Sequence, residues 1–192
     1  MEKPLPKSFY SRDTKEVAKD LLGKILVREF RQGRVGGRIV ETEAYYGDKD
    51  PASHAFRGKT KRARIMWGPP GIAYVYLIYG MYYLLNVVTE KEGKPGAVLI
   101  RALHPIEGIE LMKKMKKAND TKNLTNGPAK LTQAFNITLK EHGCDLTSGS
   151  LRIEDGKKEK FEIISRGRIG VSAGDEAKLR FYIKGDEFVS VK

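Results

Sequence analysis

The chain has 192 residues, 40% of them hydrophobic and 31% charged, with a formal net charge of +12. That apolar content is too high for a disordered polyelectrolyte, and no apolar run approaches the ~20 residues that span a bilayer. The single cysteine, Cys144, excludes an intramolecular disulfide, and the positive charge favours a polyanionic partner, DNA or RNA first.

One domain covering residues 1–192 is expected at this length. The N-terminal stretch Met1-Glu2-Lys3-Pro4-Leu5-Pro6 has no apolar run that could act as a signal, so a cytoplasmic protein is expected, associated with the nucleoid if the source is prokaryotic. Asp13 followed by Thr14 to Leu22 and then Gly23 has the cap, apolar spacing and terminal glycine of a short helix. Lys24 to Phe30 and Gly37 to Tyr45 read as strands, with Gln32-Gly33-Arg34 and Gly36-Gly37 as turn residues. Asp48 to Pro70 reads as an irregular loop rich in proline, glycine and basic residues. Its length exceeds that of a plain connector, and loops of that length are often functional.

Ile72 to Tyr79 and Tyr83 to Thr89 read as two strands joined around Tyr79-Gly80-Met81-Tyr82, and Ala97 to Leu103 as a third. Pro105 is expected to open a helix with Ile106, Ile109, Met112 and Met115 on one face. Lys113, Lys114, Lys116 and Lys117 crowd its last turn, where the helix dipole favours cations. A second helix is expected after Asn126-Gly127-Pro128, and further strands around Leu151, Phe161, Leu179 and Phe188. The sum is a mixed α/β composition with a mostly antiparallel sheet.

Within Arg38-Ile39-Val40-Glu41-Thr42-Glu43-Ala44-Tyr45, strand periodicity puts Glu41, Glu43 and Tyr45 on one face. Carboxylates roughly 6–7 Å apart on a strand repel and need cationic or hydrogen-bonding partners. They fit a polar edge strand; they equally fit glycosidic-bond hydrolysis, in which one carboxylate activates water and opposes positive charge on the sugar. Arg101 stands in an apolar run, Val98 to Leu103, so it must reach outward or pair with a buried carboxylate. Glu43 is the expected partner. His54 fits a surface histidine or a donor to a base edge. Tyr74-Val75-Tyr76-Leu77 fits a half-buried strand, and Tyr79 before Gly80 fits an aromatic at a hairpin tip, usable as a wedge in a base stack. By parity, Tyr76 and Tyr79 should face opposite sides unless the strand bends. Arg57, Lys59, Lys61, Arg62 and Arg64 could hold phosphates. A non-catalytic nucleic-acid-binding module and a small-molecule nucleoside hydrolase fit the same residues.

Taken together, Val40 to Tyr45, Tyr74 to Tyr82, Leu99 to Leu103, Gly127-Pro128-Ala129-Lys130-Leu131, Arg168-Ile169-Gly170-Val171 and Leu179 to Tyr182 resemble the alkyladenine (3-methyladenine) DNA glycosylases of the mammalian type. The similarity runs from about Phe9 to Val191. It implies an α+β fold of a single domain: a curved, mostly antiparallel sheet surrounded by helices, with a protruding DNA-inserting β-hairpin. It implies a monofunctional base-excision repair enzyme that flips damaged purines from double-stranded DNA and hydrolyses the N-glycosidic bond. No cofactor, metal or membrane is implied, and a monomer is expected. By position, the resemblance makes Glu43 the general base and Arg101 its ion-pair partner, with the Ile169 carbonyl as a further water contact. It makes Tyr45, His54 and Tyr76 the walls of the base pocket, and Leu99 a lining residue. Asn86 takes the position that screens the purine 2-amino edge, and Tyr79 that of the intercalating residue. None of these positions departs from the family pattern, and no counterpart of the long N-terminal extension of some animal members is expected.

Overall fold

A computed structural model describes residues 3–157, 159–171 and 176–191; Met1 and Glu2, part of the N-terminal stretch read above, lie outside them. Its strands are β1 (Ile25–Phe30), β2 (Gly33–Tyr45), β3 (Ala73–Ile78), β4 (Tyr82–Val88), β5 (Ala97–Glu107), β6 (Leu151–Glu154), β7 (Ile163–Arg166) and β8 (Arg180–Ile183). Its α-helices are α1 (Lys7–Tyr10), α2 (Thr14–Asp20), α3 (Ile109–Lys116) and α4 (Pro128–Ala134). The fold is α+β. The strands form one curled sheet in which the order β3-β4-β5-β2-β1-β6 is extended by β8 beside β2 and β7 beside β8. Every strand pairing among the described residues is antiparallel.

Strand β2 organises the sheet because its two halves have different neighbours. Residues 33–38 pair with β1 and residues 41–43 with β8, while β5 follows the opposite edge. The strand's alternation separates two chemistries. Thr42 turns towards α2, where its hydroxyl donates to the Ala18 carbonyl at 2.8 Å. That side holds the main core, including Val17, Ala18, Leu21, Val40, Ala44, Ile100 and Phe181. Glu41 and Glu43 turn the other way.

Local signals account for several boundaries. Asp13 caps α2, its carboxylate accepting from the backbone N–H groups of Lys15 and Glu16. Pro128 stands in the first turn of α4, as expected after Asn126-Gly127. Buried Met112 anchors α3.

Other boundaries correct the sequence reading. The first hairpin turns at Arg31 and Gln32, and Gly36-Gly37 lies within β2 rather than in a turn. A Cβ on Gly37 would come within 2.9 Å of the Leu103 Cβ, and the β2–β5 register shifts between Gly36 and Gly37. The pair therefore marks close backbone approach at a bulge. Pro105 does not open a helix; it lies in β5 opposite Gly37, and α3 starts at Ile109. There β5 has passed beyond β4, which pairs only with Ala97–Leu99, so the missing proline N–H leaves no neighbour unpaired on that edge. Ile106 is accordingly exposed on a strand. Phe188 is buried in a turn-rich tail, not in a strand.

The Asp48–Pro70 segment contains two short 3-10 turns, His54–Arg57 and Ala63–Trp67. They cover the sheet face opposite the main core, where Ala55, Met66, Tyr74, Val88 and Ala97 form a second apolar cluster.

Candidate active site

Register places the site residues in rows. Tyr74 pairs with Asn86, Asn86 with Leu99, Leu99 with Glu43, and Glu43 with Arg180. Side chains directly opposite share a face, so this row brings residues of five strands onto one surface. Two residues along each strand, Tyr76, Leu84, Ala97 and Tyr45 extend the same face. Arg101, two residues beyond Leu99 on β5, joins it by alternation, beside an irregularity in the register. Glu41 pairs with Ala102 and Thr42 with Ile100, which leaves Arg101 as an extra residue on β5. Its guanidinium ion-pairs with both Glu41 and Glu43.

Arg101 Nη1 lies 3.2 Å from Glu43 Oε2, and its Nε lies 3.2 Å from Glu41 Oε1. The expected Glu43–Arg101 pair is therefore one side of a larger cluster. Arg180 Nη1 donates to Glu41 Oε1 at 2.9 Å, and the Ser190 N–H donates to Glu41 Oε2 at 2.7 Å. Both carboxylates are fully buried, and both arginines nearly so. Opposite charges and backbone donors replace the lost hydration.

Glu43 receives two further donors. The Tyr45 hydroxyl donates to Oε2 at 2.8 Å, and the Ile169 N–H donates to Oε1 at 2.7 Å. A carboxylate accepts about four hydrogen bonds, so the three described here leave room for one more partner. Burial, with the adjacent Glu43 carboxylate second, pushes the Tyr45 phenol well above its ordinary value. Tyr45 therefore stays protonated and donating.

A cavity of about 740 Å³ opens over this cluster. Tyr45, His54, Tyr76, Tyr79, Asn86, Leu99 and Arg101, all singled out from the sequence, line it. Glu43 itself does not: its donors Tyr45, Arg101 and Ile169 form the floor, and the carboxylate lies behind them. His54 Nδ1 is 2.7 Å from the Tyr74 hydroxyl, and its ring meets Tyr76 edge-on at 4.7 Å. Burial and, second, nearby Arg62 hold the His54 imidazole below its ordinary value of 6.5, which favours the neutral ring. Burial, followed by Glu43, pushes the Tyr76 phenol up to about 12. Asn86 is fixed by donating Nδ2 to the Tyr74 carbonyl at 3.0 Å.

Tyr79 sits at the tip of the β3–β4 hairpin and is 84% exposed. Strand parity set it on the side away from Tyr76. The strand ends at Ile78, however, and Tyr79 at φ 52° and Gly80 at φ 69° turn the chain in the left-handed region. Tyr79 and Tyr76 consequently line the same cavity.

Sequence reasoning missed Glu41's share of Arg101, and it missed Arg180, Arg168, Asp50 and Tyr74. Arg180 carried a usable signal, since it interrupts Leu179-Arg180-Phe181-Tyr182-Ile183 as Arg101 interrupts its own apolar run. Asp50 gave none, being an aspartate in a polar loop. Of the basic loop, only Arg62 reaches the main cavity among the described residues.

The chain as a whole is similar in sequence to known proteins. A family model described as methylpurine-DNA glycosylase matches residues 8–187. A protein of Clostridium acetobutylicum is 51% identical over 97% of this chain and 97% of its own. One of Carboxydothermus hydrogenoformans is 51% identical over 98% and 99%, and one of Methanocella arvoryzae 54% identical over 97% and 95%. All three carry the name "Putative 3-methyladenine DNA glycosylase". The chain belongs to the methylpurine-DNA glycosylase family, and is a DNA-repair hydrolase that acts on the N-glycosidic bond.

Proposed function

We propose that this protein excises alkylated or deaminated purines from double-stranded DNA by flipping them into the tyrosine-lined cavity, with Glu43 as general base. The observation that carries this reading is the Glu43 carboxylate beneath the cavity floor, ion-paired to Arg101 and hydrogen-bonded to Tyr45 and Ile169.

The steps follow from that geometry. Flipping costs a few kcal/mol of stacking and pairing, least for damaged bases. Tyr45 and Tyr76 repay about 1–3 kcal/mol per stacked base. Their protonated, electron-rich rings attract the positive charge of an alkylated purine. Neutral His54 offers one directed hydrogen bond to the base edge, and Tyr79 fills the vacated position in the duplex. Asn86, held by the Tyr74 carbonyl, takes the position that screens the purine 2-amino edge. A single water admitted through the Tyr45–Ile169 floor gives its proton to Glu43 and attacks the anomeric carbon as the base departs. The carboxylate and Arg101 hold that water in line, and the negative charge opposes the oxocarbenium ion. The Ile169 carbonyl serves as a further contact for the water. Arg62 and Arg101 are the cationic side chains lining the cavity, with no lysine there among the described residues. That supports a monofunctional enzyme, which leaves an abasic site without cutting the strand.

The test is base release from duplexes carrying 3-methyladenine, 7-methylguanine, hypoxanthine or ethenoadenine, scoring free base and abasic sites together. Glu43→Gln should slow release on the order of 100-fold or more while retaining the fold and DNA affinity. A Glu43→Gln protein as active as wild type would sink the assignment. Turnover of free nucleosides with no effect on duplexes would favour a small-molecule hydrolase instead.

A further inference from the structure

We infer that Arg168 and Asp50 form a buried positioning clamp, which sets the base-stacking wall and the water-activating carboxylate in register with each other; this rests on the functional reading above. The two residues lie in separate loops, one following β2 and the other preceding β8. Arg168 Nη1 donates to Asp50 Oδ2 at 2.6 Å, and Nη2 donates to Oδ1 at 2.7 Å, a bidentate pair nearly closed to solvent.

Each end of the clamp governs part of the site. Nη1 of Arg168 also donates to the Ala44 carbonyl at 3.0 Å, immediately before Tyr45. The guanidinium carbon lies 4.7 Å from the centroid of the Tyr45 ring. Because Arg168 does not line the main cavity while Tyr45 does, the arginine backs the ring rather than competing for a base. The next residue, Ile169, supplies the N–H that holds Glu43 Oε1. One displacement of Arg168 therefore moves both the ring and the carboxylate's donor.

Asp50 organises the other wall. Its Oδ2 accepts from the Tyr46 N–H at 3.0 Å and its Oδ1 from the Ala52 N–H at 3.1 Å. Its carbonyl accepts from the Ser53 N–H, and the Ser53 hydroxyl caps the 3-10 turn that begins at His54. The path from Tyr45 to His54 is thus folded around one carboxylate, and that carboxylate is fixed by one guanidinium. The chemistry tolerates little looseness here, because a reacting geometry displaced by about 1 Å can lose on the order of 100-fold in rate.

Asp50 and Arg168 also border a second, open cavity of about 580 Å³, through which a small cation can reach the slot left by a truncated arginine. The test measures single-turnover base release, and separately the affinity for a duplex bearing a reduced abasic analogue. Arg168→Ala and Arg168→Lys are both needed. Lysine keeps the charge but cannot span both Asp50 oxygens and the Ala44 carbonyl at once, so it carries the test if the alanine variant fails to fold.

Both variants should release base at least about tenfold more slowly, with the affinity for the analogue duplex unchanged. Methylguanidinium should restore part of the Arg168→Ala rate, without speeding the wild type and without an equal effect of sodium chloride. Release by Arg168→Lys at the wild-type rate would overturn the clamp. So would parallel loss of rate and affinity with no response to methylguanidinium, which marks a merely structural pair. A wild-type protein that releases no base would instead overturn the functional reading itself.

Discussion

Two neighbouring carboxylates on one strand face, Glu41 and Glu43, are both fully buried. Each has a distinct set of donors, with Arg101 bridging them and Arg180 and Ser190 held by Glu41. Glu41 thus works on Arg101, while Glu43 faces the cavity floor. Removing one partner of such a buried pair typically costs about 3–5 kcal/mol, because the other charge is left uncompensated. His54 offers a titration that can be followed. Its value is held below the ordinary 6.5 by burial first and Arg62 second, so the folded state resists taking up this proton. Between the lowered folded value and 6.5 the unfolded chain binds more protons. The neutral ring's contribution is therefore complete above 6.5 and lost as pH falls below it. His54→Gln should shrink the difference in Tm between neutral pH and about pH 5, as followed by thermal unfolding. An unchanged difference would mean that His54 titrates normally.

At the scale of elements, two departures from regular strand geometry build the site. One is the register shift on β5 that leaves Arg101 without a pairing partner where it meets both carboxylates. The other departure is the hairpin tip, where Ile78 accepts from the Met81 N–H at 3.2 Å and the two residues between them have positive φ. Within the three-residue loop between paired Ile78 and Tyr82, this positive-φ conformation favours asparagine or glycine over tyrosine. Tyr79 at φ 52° therefore carries strain of about 1 kcal/mol for an ordinary side chain in this region. Tyr79→Asn should leave stability equal or slightly higher, while impairing capture of flipped bases more than nonspecific DNA binding. Thermal unfolding, with ethenoadenine fluorescence as the flipping signal, checks both. Equal losses of capture and nonspecific affinity would argue against a wedge.

At the scale of the molecule, the net charge of +12 is the dominant long-range feature. DNA affinity should fall steeply with salt, by at least about tenfold between roughly 50 and 200 mM, because each phosphate contact releases counterions. Fluorescence anisotropy with the Glu43→Gln protein measures this without turnover, and a flat salt response would remove the electrostatic contribution. The tail also matters at this scale. Ser190 and Val191, far from β2 in sequence, hold Glu41 and Arg180 respectively, so the chain end helps close the charged cluster.

Much of this was legible from sequence alone. Capping by Asp13, the Pro128 helix start, most strand positions, the shared face of Glu41 and Glu43, and the need of Arg101 for a buried carboxylate all follow from local periodicity and the cost of burying charge. Composition determined the preference for a polyanion, and the motifs determined the family. Only tertiary structure decided that Gly36-Gly37 continues a strand, that Pro105 sits on a locally unpaired edge, and that Tyr79 joins Tyr76 at one cavity. It alone united Arg168, Asp50, Arg180 and Ser190 with Glu43's surroundings. The reason is physical: periodicity reports which face a side chain takes along its own strand, whereas register shifts, left-handed turns and ion pairs between distant segments depend on neighbours that arrive only when the sheet closes.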